Sequence, residues 1–62
     1  MKVTLAALRV NAGLSQREAA SRAGVTQQTL VNWEKGRVDP PFRMVQELCT
    51  IYGCTVDNVR WV

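Results

Sequence analysis

A single residue, Val25, stands between Gly24 and Thr26, and this spacing restricts the fold of the chain more than any other feature. Glycine just past a helical segment is the common left-handed stop, and threonine ahead of the next segment is a helix N-cap. A link this short does not let the two helices lie antiparallel, so they meet at a steep angle. A small side chain at Ala20 permits close approach of the two helix backbones. Gly24 takes a positive φ without a steric penalty. With Val25, Leu30 and Trp33 turned inward, the arrangement expected is two helices at a steep angle around a short glycine turn.

The same punctuation runs through the rest of the chain. Thr4 caps a first helix with Leu5 and Leu8 three apart, and Gly13 ends it. Ser15 with Glu18 three residues later forms a capping box for a second helix through Ala23. Thr26 opens a third helix through Lys35, which Gly36 stops. After a polar loop, Arg37 to Asp39, come Pro40 and Pro41, and the second proline suits the first turn of a fourth helix. Its apolar positions are Phe42, Val45, Leu48, Cys49 and Tyr52, at spacings of three and four, ending at Gly53. Thr55 caps a short final turn or helix with Val56 and Val59. Alternation of period two never persists. The expectation is all-α: five short helices in one domain, 1–62, with the two-helix motif at about 15–36.

Composition removes whole classes of function. A chain of 62 residues buries only about 60% of the surface that its unfolded form exposes, which leaves little room for a substrate cavity with a supporting shell. It contains no histidine, the usual general base and a common metal ligand. Its serines and cysteines therefore have no such partner for nucleophilic catalysis. No enzyme activity, cofactor, metal or small-molecule ligand is expected. Cys49 and Cys54 are too few for a small secreted scaffold and read as small apolar core or semi-core residues. The N-terminus interrupts its apolar residues with Lys2, Thr4 and Arg9, unlike a signal peptide, and no apolar run is long enough to cross a membrane. A reduced, cytoplasmic protein is expected. The net charge of +3 is mildly basic and would not by itself point to nucleic acid.

An ordered set of residues does. It consists of Leu8-Arg9, Gly13-Leu14-Ser15-Gln16, Glu18, Ala20, Gly24-Val25-Thr26, Trp33-Glu34-x-Gly36, Pro40, Gly53 and Asp57. From about Leu5 to Val59 the sequence resembles the Cro/repressor-type (XRE-like) helix-turn-helix family of phage and bacterial regulators. The opening Thr26-Gln27-Gln28 is similar to that of lambdoid phage repressor domains. The resemblance implies a compact five-helix, lambda-repressor-like fold whose third helix enters the DNA major groove. It departs from the family at Ala19 and Ala23, where leucine is usual. Trp33, Phe42 and Tyr52 are expected to make up the volume; otherwise stability is low or a partner chain supplies contacts.

Within that frame Gln27, Gln28 and Asn32 are the candidate base readers. A glutamine amide both donates and accepts and so matches N6 and N7 of adenine. Outside the motif, the same residues would read as a solvated face. Thr29 is a weaker candidate, and Thr26 is first a cap and second a methyl contact. Gln16 opens the second helix, where unpaired N–H groups favour a phosphate, and the family sets a glutamine there against the DNA backbone. Lys35, Arg37 and Arg43 are candidate phosphate clamps, with Arg17 and Arg22 weaker. The family commonly joins Arg9 and Glu34 in a structural salt bridge, which would leave the DNA-facing stretch more basic than the total charge suggests. Trp33 reads as core. Val59, Arg60, Trp61 and Val62 either support dimer contacts or pack back on the chain's own core.

These residues imply a sequence-specific double-stranded DNA-binding regulator, most simply a repressor, acting as a homodimer on a pseudo-palindromic operator. An antitoxin or operon control protein of the same fold is the nearest alternative. A protein-interaction adaptor is another, and the absence of acidic residues among Gln27, Gln28 and Asn32 weighs against it.

Overall fold

The computed structural model describes residues 2–60. Four α-helices follow one another, α1 (Leu5–Asn11), α2 (Gln16–Ala23), α3 (Gln27–Glu34) and α4 (Phe42–Tyr52), before a 3₁₀ turn at Val56–Asn58. Thr4, Ser15 and Thr26 each accept, through the side-chain oxygen, from the backbone N–H three residues on. At α2 the Glu18 carboxylate in turn accepts from the Ser15 N–H at 3.1 Å, completing the capping box. This pairing holds the Glu18 carboxyl below its usual range.

Every α-helix ends in the same way. Leu14, Val25, Arg37 and Cys54 donate their N–H groups to the carbonyls of Arg9, Ala20, Asn32 and Cys49, the six-to-one bond of the Schellman motif. Gly24 shows what this turn requires. Its φ is +74°, and a Cβ added there would meet nothing within 4 Å. The constraint on this position is therefore backbone conformation rather than space.

The fifth helix is shorter than expected: three residues of 3₁₀ turn, with no α-helix following among the described residues. Thr55 gives its N-terminus no side-chain cap bond; its hydroxyl donates instead to Asn58 Oδ1 at 2.6 Å. Val59 then turns extended and forms a parallel bridge with Val3, fastened by Val3 N–H to Asn58 carbonyl and Arg60 N–H to Val3 carbonyl at 2.7 and 2.8 Å. Pairing of the two chain ends thus replaces a further helical turn. Val59 is buried in the chain's own core, while Trp61 and Val62 lie outside the described residues. Two boundaries also differ by one position. Lys35 is the C-cap of α3, and Pro41 is the N-cap of α4 rather than part of its first turn.

The core collects Leu5 and Leu8 of α1, Ala19 and Ala20 of α2, Leu30 and Trp33 of α3, Val45, Leu48, Cys49 and Tyr52 of α4, and Val59. Leu30 and Leu48 are completely buried, and burial on that scale stabilises by about 1.5–3 kcal/mol for each side chain. α2 packs against both α3 and α4, and α1 packs against α4. The buried Ala19 and Ala20 let the chain axes approach.

Phe42 corrects the expected pattern. Although it shares the helical spacing of the buried residues, it is 64% exposed. As the first residue of α4 it sits beyond the edge of the core, where it lines an open groove of about 390 Å³ with Asp39, Pro40 and Val45. The volume missing at Ala19 and Ala23 is therefore not made up by Phe42; Trp33 and Tyr52 are the buried aromatics among the described residues.

Candidate nucleic-acid interface

The hydroxyl of Thr26, having accepted the Thr29 N–H at 3.2 Å, also lies 2.8 Å from the Thr29 hydroxyl. One turn on, Gln28 Nε2 donates to Asn32 Oδ1 at 3.1 Å, the i to i+4 spacing at which helical side chains meet. Gln27 and Gln28 are exposed, and Thr29 and Asn32 are half-buried. Of the five candidate base readers, Thr26 is thus the N-cap of α3 and the others lie in its N-terminal three-quarters. Four of them are joined in two pairs, and the Gln27 amide has no partner among the described residues. Leu30 and Trp33, buried on the opposite side, hold this face outward.

The far end of α3 is tied to the rest of the molecule by charge. Arg9 Nε donates to Glu34 Oε2 at 2.8 Å, with side-chain exposures of 13% and 4%. Arg9 Nη1 donates to the Leu14 carbonyl, also at 2.8 Å. The second carboxylate oxygen of Glu34 accepts from Gln16 Nε2 at 3.1 Å. Glu34 therefore joins the end of α1, the first residue of α2 and the end of α3. It is the only acidic residue between Thr26 and Gly36, and the ion pair neutralises it.

The structure places Gln16 at the start of α2 with one amide hydrogen already committed to Glu34. Arg17, Lys35, Arg37 and Arg43 are all exposed and form no ion pair with a described residue. The link between Gln16 and Glu34 spans 18 residues and had no local signal in the sequence. The Gln28–Asn32 bond did have one, in the spacing of four.

Behind the Arg9–Glu34 pair lies Tyr52. Its hydroxyl is the one buried side-chain polar atom without a partner among the described residues. Burial, followed by the nearby Glu34 carboxylate, pushes its pKa up to about 12, with Arg9 opposing. Burial and the neighbouring Cys54 thiol likewise raise Cys49 to about 11. Both cysteines are free. For both groups the folded pKa lies above the unfolded value, so the folded state keeps its proton longer and stability falls as pH rises. Denaturation midpoints followed by circular dichroism are expected to be flat at neutral pH and to fall from about pH 9 to 12. Replacing Tyr52 by Phe should flatten the upper part of that fall; an unchanged profile would exclude the tyrosine as its source.

Among the described residues no helix is long and apolar enough to cross a membrane, and no cluster of His, Cys, Asp or Glu could hold a metal ion. The chain matches the helix-turn-helix domain family over residues 3–62. It is 31% identical over 62 residues to YgzD of Bacillus subtilis, an uncharacterized HTH-type transcriptional regulator, covering all of this chain and 94% of the relative. A similarly described regulator of Methanothermobacter thermautotrophicus is 36% identical over 53 residues, 86% of this chain and 77% of its own length. One from Archaeoglobus fulgidus is 25% identical over 59 residues, covering 95% and 84%. With α2 and α3 joined through Gly24 and Val25, and the match spanning nearly its whole length, the chain belongs to the helix-turn-helix family of transcriptional regulators.

Proposed function

We propose that this protein binds double-stranded DNA in a sequence-specific manner as a small transcriptional repressor, with α3 in the major groove. The observation that carries the reading is the outward face of α3. It offers amides and hydroxyls from Gln27, Gln28, Thr29 and Asn32, and its one nearby acid is neutralised by Arg9. Side chains that both donate and accept suit base edges, whose donor and acceptor patterns differ in that groove. Thr26 caps the helix and brings its methyl group to the same end.

Phosphates fall to the surrounding residues. Gln16 retains one amide hydrogen and its backbone N–H at the start of α2, a position that favours an anion. Arg17, Lys35, Arg37 and Arg43 supply cations, each adding about 0.9 to the dependence of binding on salt where it meets a phosphate. A homodimer on a pseudo-palindromic operator completes the reading. With Val59 buried in its own core, Val10, Val38 and Phe42 are the large apolar side chains exposed among the described residues, and Val38 and Phe42, just beyond α3, are the ones that meet a second copy.

Selection of binding sites from random duplexes tests this reading. The expected result is a motif of two related half-sites about 34 Å apart, one helical turn. Gln28→Ala should relax preference at one or two base pairs, at a cost of about 1–3 kcal/mol of discrimination. Arg37→Ala should weaken all sequences alike and lower the salt slope by about 1. No enriched motif at moderate salt would overturn the reading, and identical behaviour of the two variants would overturn the division between base readers and phosphate clamps.

A further inference from the structure

Counting the hydrogen-bonding capacity left on α3 leads beyond a set of independent readers. Gln28 Nε2 has given one of its two hydrogens to Asn32 Oδ1. Gln28 therefore keeps its carbonyl oxygen and one N–H, while Asn32 keeps both hydrogens of its NH₂ group and one lone pair of an oxygen turned toward Gln28. The bond also fixes which way each amide faces: the donated hydrogen turns the Gln28 nitrogen toward Asn32, and the accepting oxygen leaves the Asn32 nitrogen pointing away.

We propose that Gln28 and Asn32 read DNA as one hydrogen-bonded unit, in which Asn32 is the positioning residue for Gln28. The inference rests on the major-groove reading above. The remaining acceptor and donor of Gln28 match N6–H and N7 of an adenine. With its oxygen turned toward Gln28, Asn32 presents its NH₂ outward, so at a neighbouring pair it takes an acceptor, thymine O4 or guanine O6 and N7. Preference at the two positions is then linked, because removing Asn32 frees the Gln28 amide to rotate and to present its nitrogen or its oxygen to either kind of base. Gln27, whose amide has no partner among the described residues, carries no such linkage.

Site selection with wild type, Gln28→Ala, Asn32→Ala, the double variant and Asn32→Asp tests the proposal. Asn32→Ala should abolish preference at its own pair. It should also reduce the adenine preference at the Gln28 pair by about twofold, the ratio expected from losing a surface side-chain bond at this spacing. The double variant should lose less than the product of the two single losses. Asn32→Asp keeps the oxygen that Gln28 needs and removes the donors. It should therefore bind more weakly overall, keep the adenine preference, and shift its own pair toward cytosine, whose N4–H₂ donates.

Independent, multiplicative effects at two separate pairs would overturn the linkage while leaving the DNA-binding function standing. Loss of the adenine preference in Asn32→Asp would overturn it too. A wild type that enriches no motif would overturn both. Thermal unfolding of each variant, expected to lie close to wild type because the residues are at the surface, separates altered reading from altered folding.

Discussion

Replacing Arg9 by Met is expected to destabilise the folded chain by about 1–3 kcal/mol, the cost of leaving a partly buried group without its partner. The cause is the charge left behind. The Glu34 side chain is only 4% exposed, and without Arg9 its remaining partner is the neutral amide of Gln16. A carboxylate in that setting is poorly solvated and costly. Chains of this length are stable by only about 3–9 kcal/mol, so the variant should lose a large share of its stability and unfold at a clearly lower urea concentration. Adding Glu34→Gln removes the stranded charge and keeps an oxygen for Gln16. The double variant should therefore recover most of the loss in urea denaturation. Equal instability of the single and double variants would show that Arg9 acts through its bond to the Leu14 carbonyl and not through Glu34.

Leu30→Ala is expected to cost about 2–5 kcal/mol, through lost burial together with the cavity left behind. Leu30 is completely buried and, with Trp33, fastens α3 to the core. The candidate base readers share that helix, so the loss should abolish DNA binding together with folding. Thermal unfolding should show a fall in Tm of roughly 8–40 °C, since about 1 kcal/mol corresponds to roughly 4–8 °C in a chain this small. Gln27→Ala, at an exposed position in the first turn of α3, should stay within about 0.5 kcal/mol of wild type and alter DNA preference alone. A Leu30→Ala protein melting within a few degrees of wild type would mean that α3 is held by its ends, through Glu34 and the Gly24 turn.

Much of the helical framework was legible in the chain because the signals that set it are local. Thr4, Ser15 and Thr26 cap through N–H groups three residues away. The four glycines end the α-helices through bonds that reach back five residues from the residue following each glycine. Such signals complete themselves within one or two turns, whatever the rest of the molecule does. The buried set was legible for a similar reason, since a spacing of three and four marks one side of a helix. The Arg9–Glu34 partnership came from family resemblance, because nothing in a separation of 25 residues identifies a partner.

The tertiary structure decided the rest. Phe42 obeys the helical spacing of the core yet stands 64% exposed, because spacing gives a side chain's direction and not whether the core extends that far along the axis. The last helix gave way to a 3₁₀ turn when Val59 paired with Val3, a contact across almost the full length of the chain. Gln16 was recognisable as the opening residue of α2, but its tie to Glu34 existed only once α2 and α3 had packed. The one-residue link at Val25, with Gly24 at φ +74°, was sufficient to require a sharp turn between two helices. Which groups of α3 were left free to meet a base depended on side-chain bonds formed after that turn was made, since a hydrogen already donated within the molecule cannot be offered outside it.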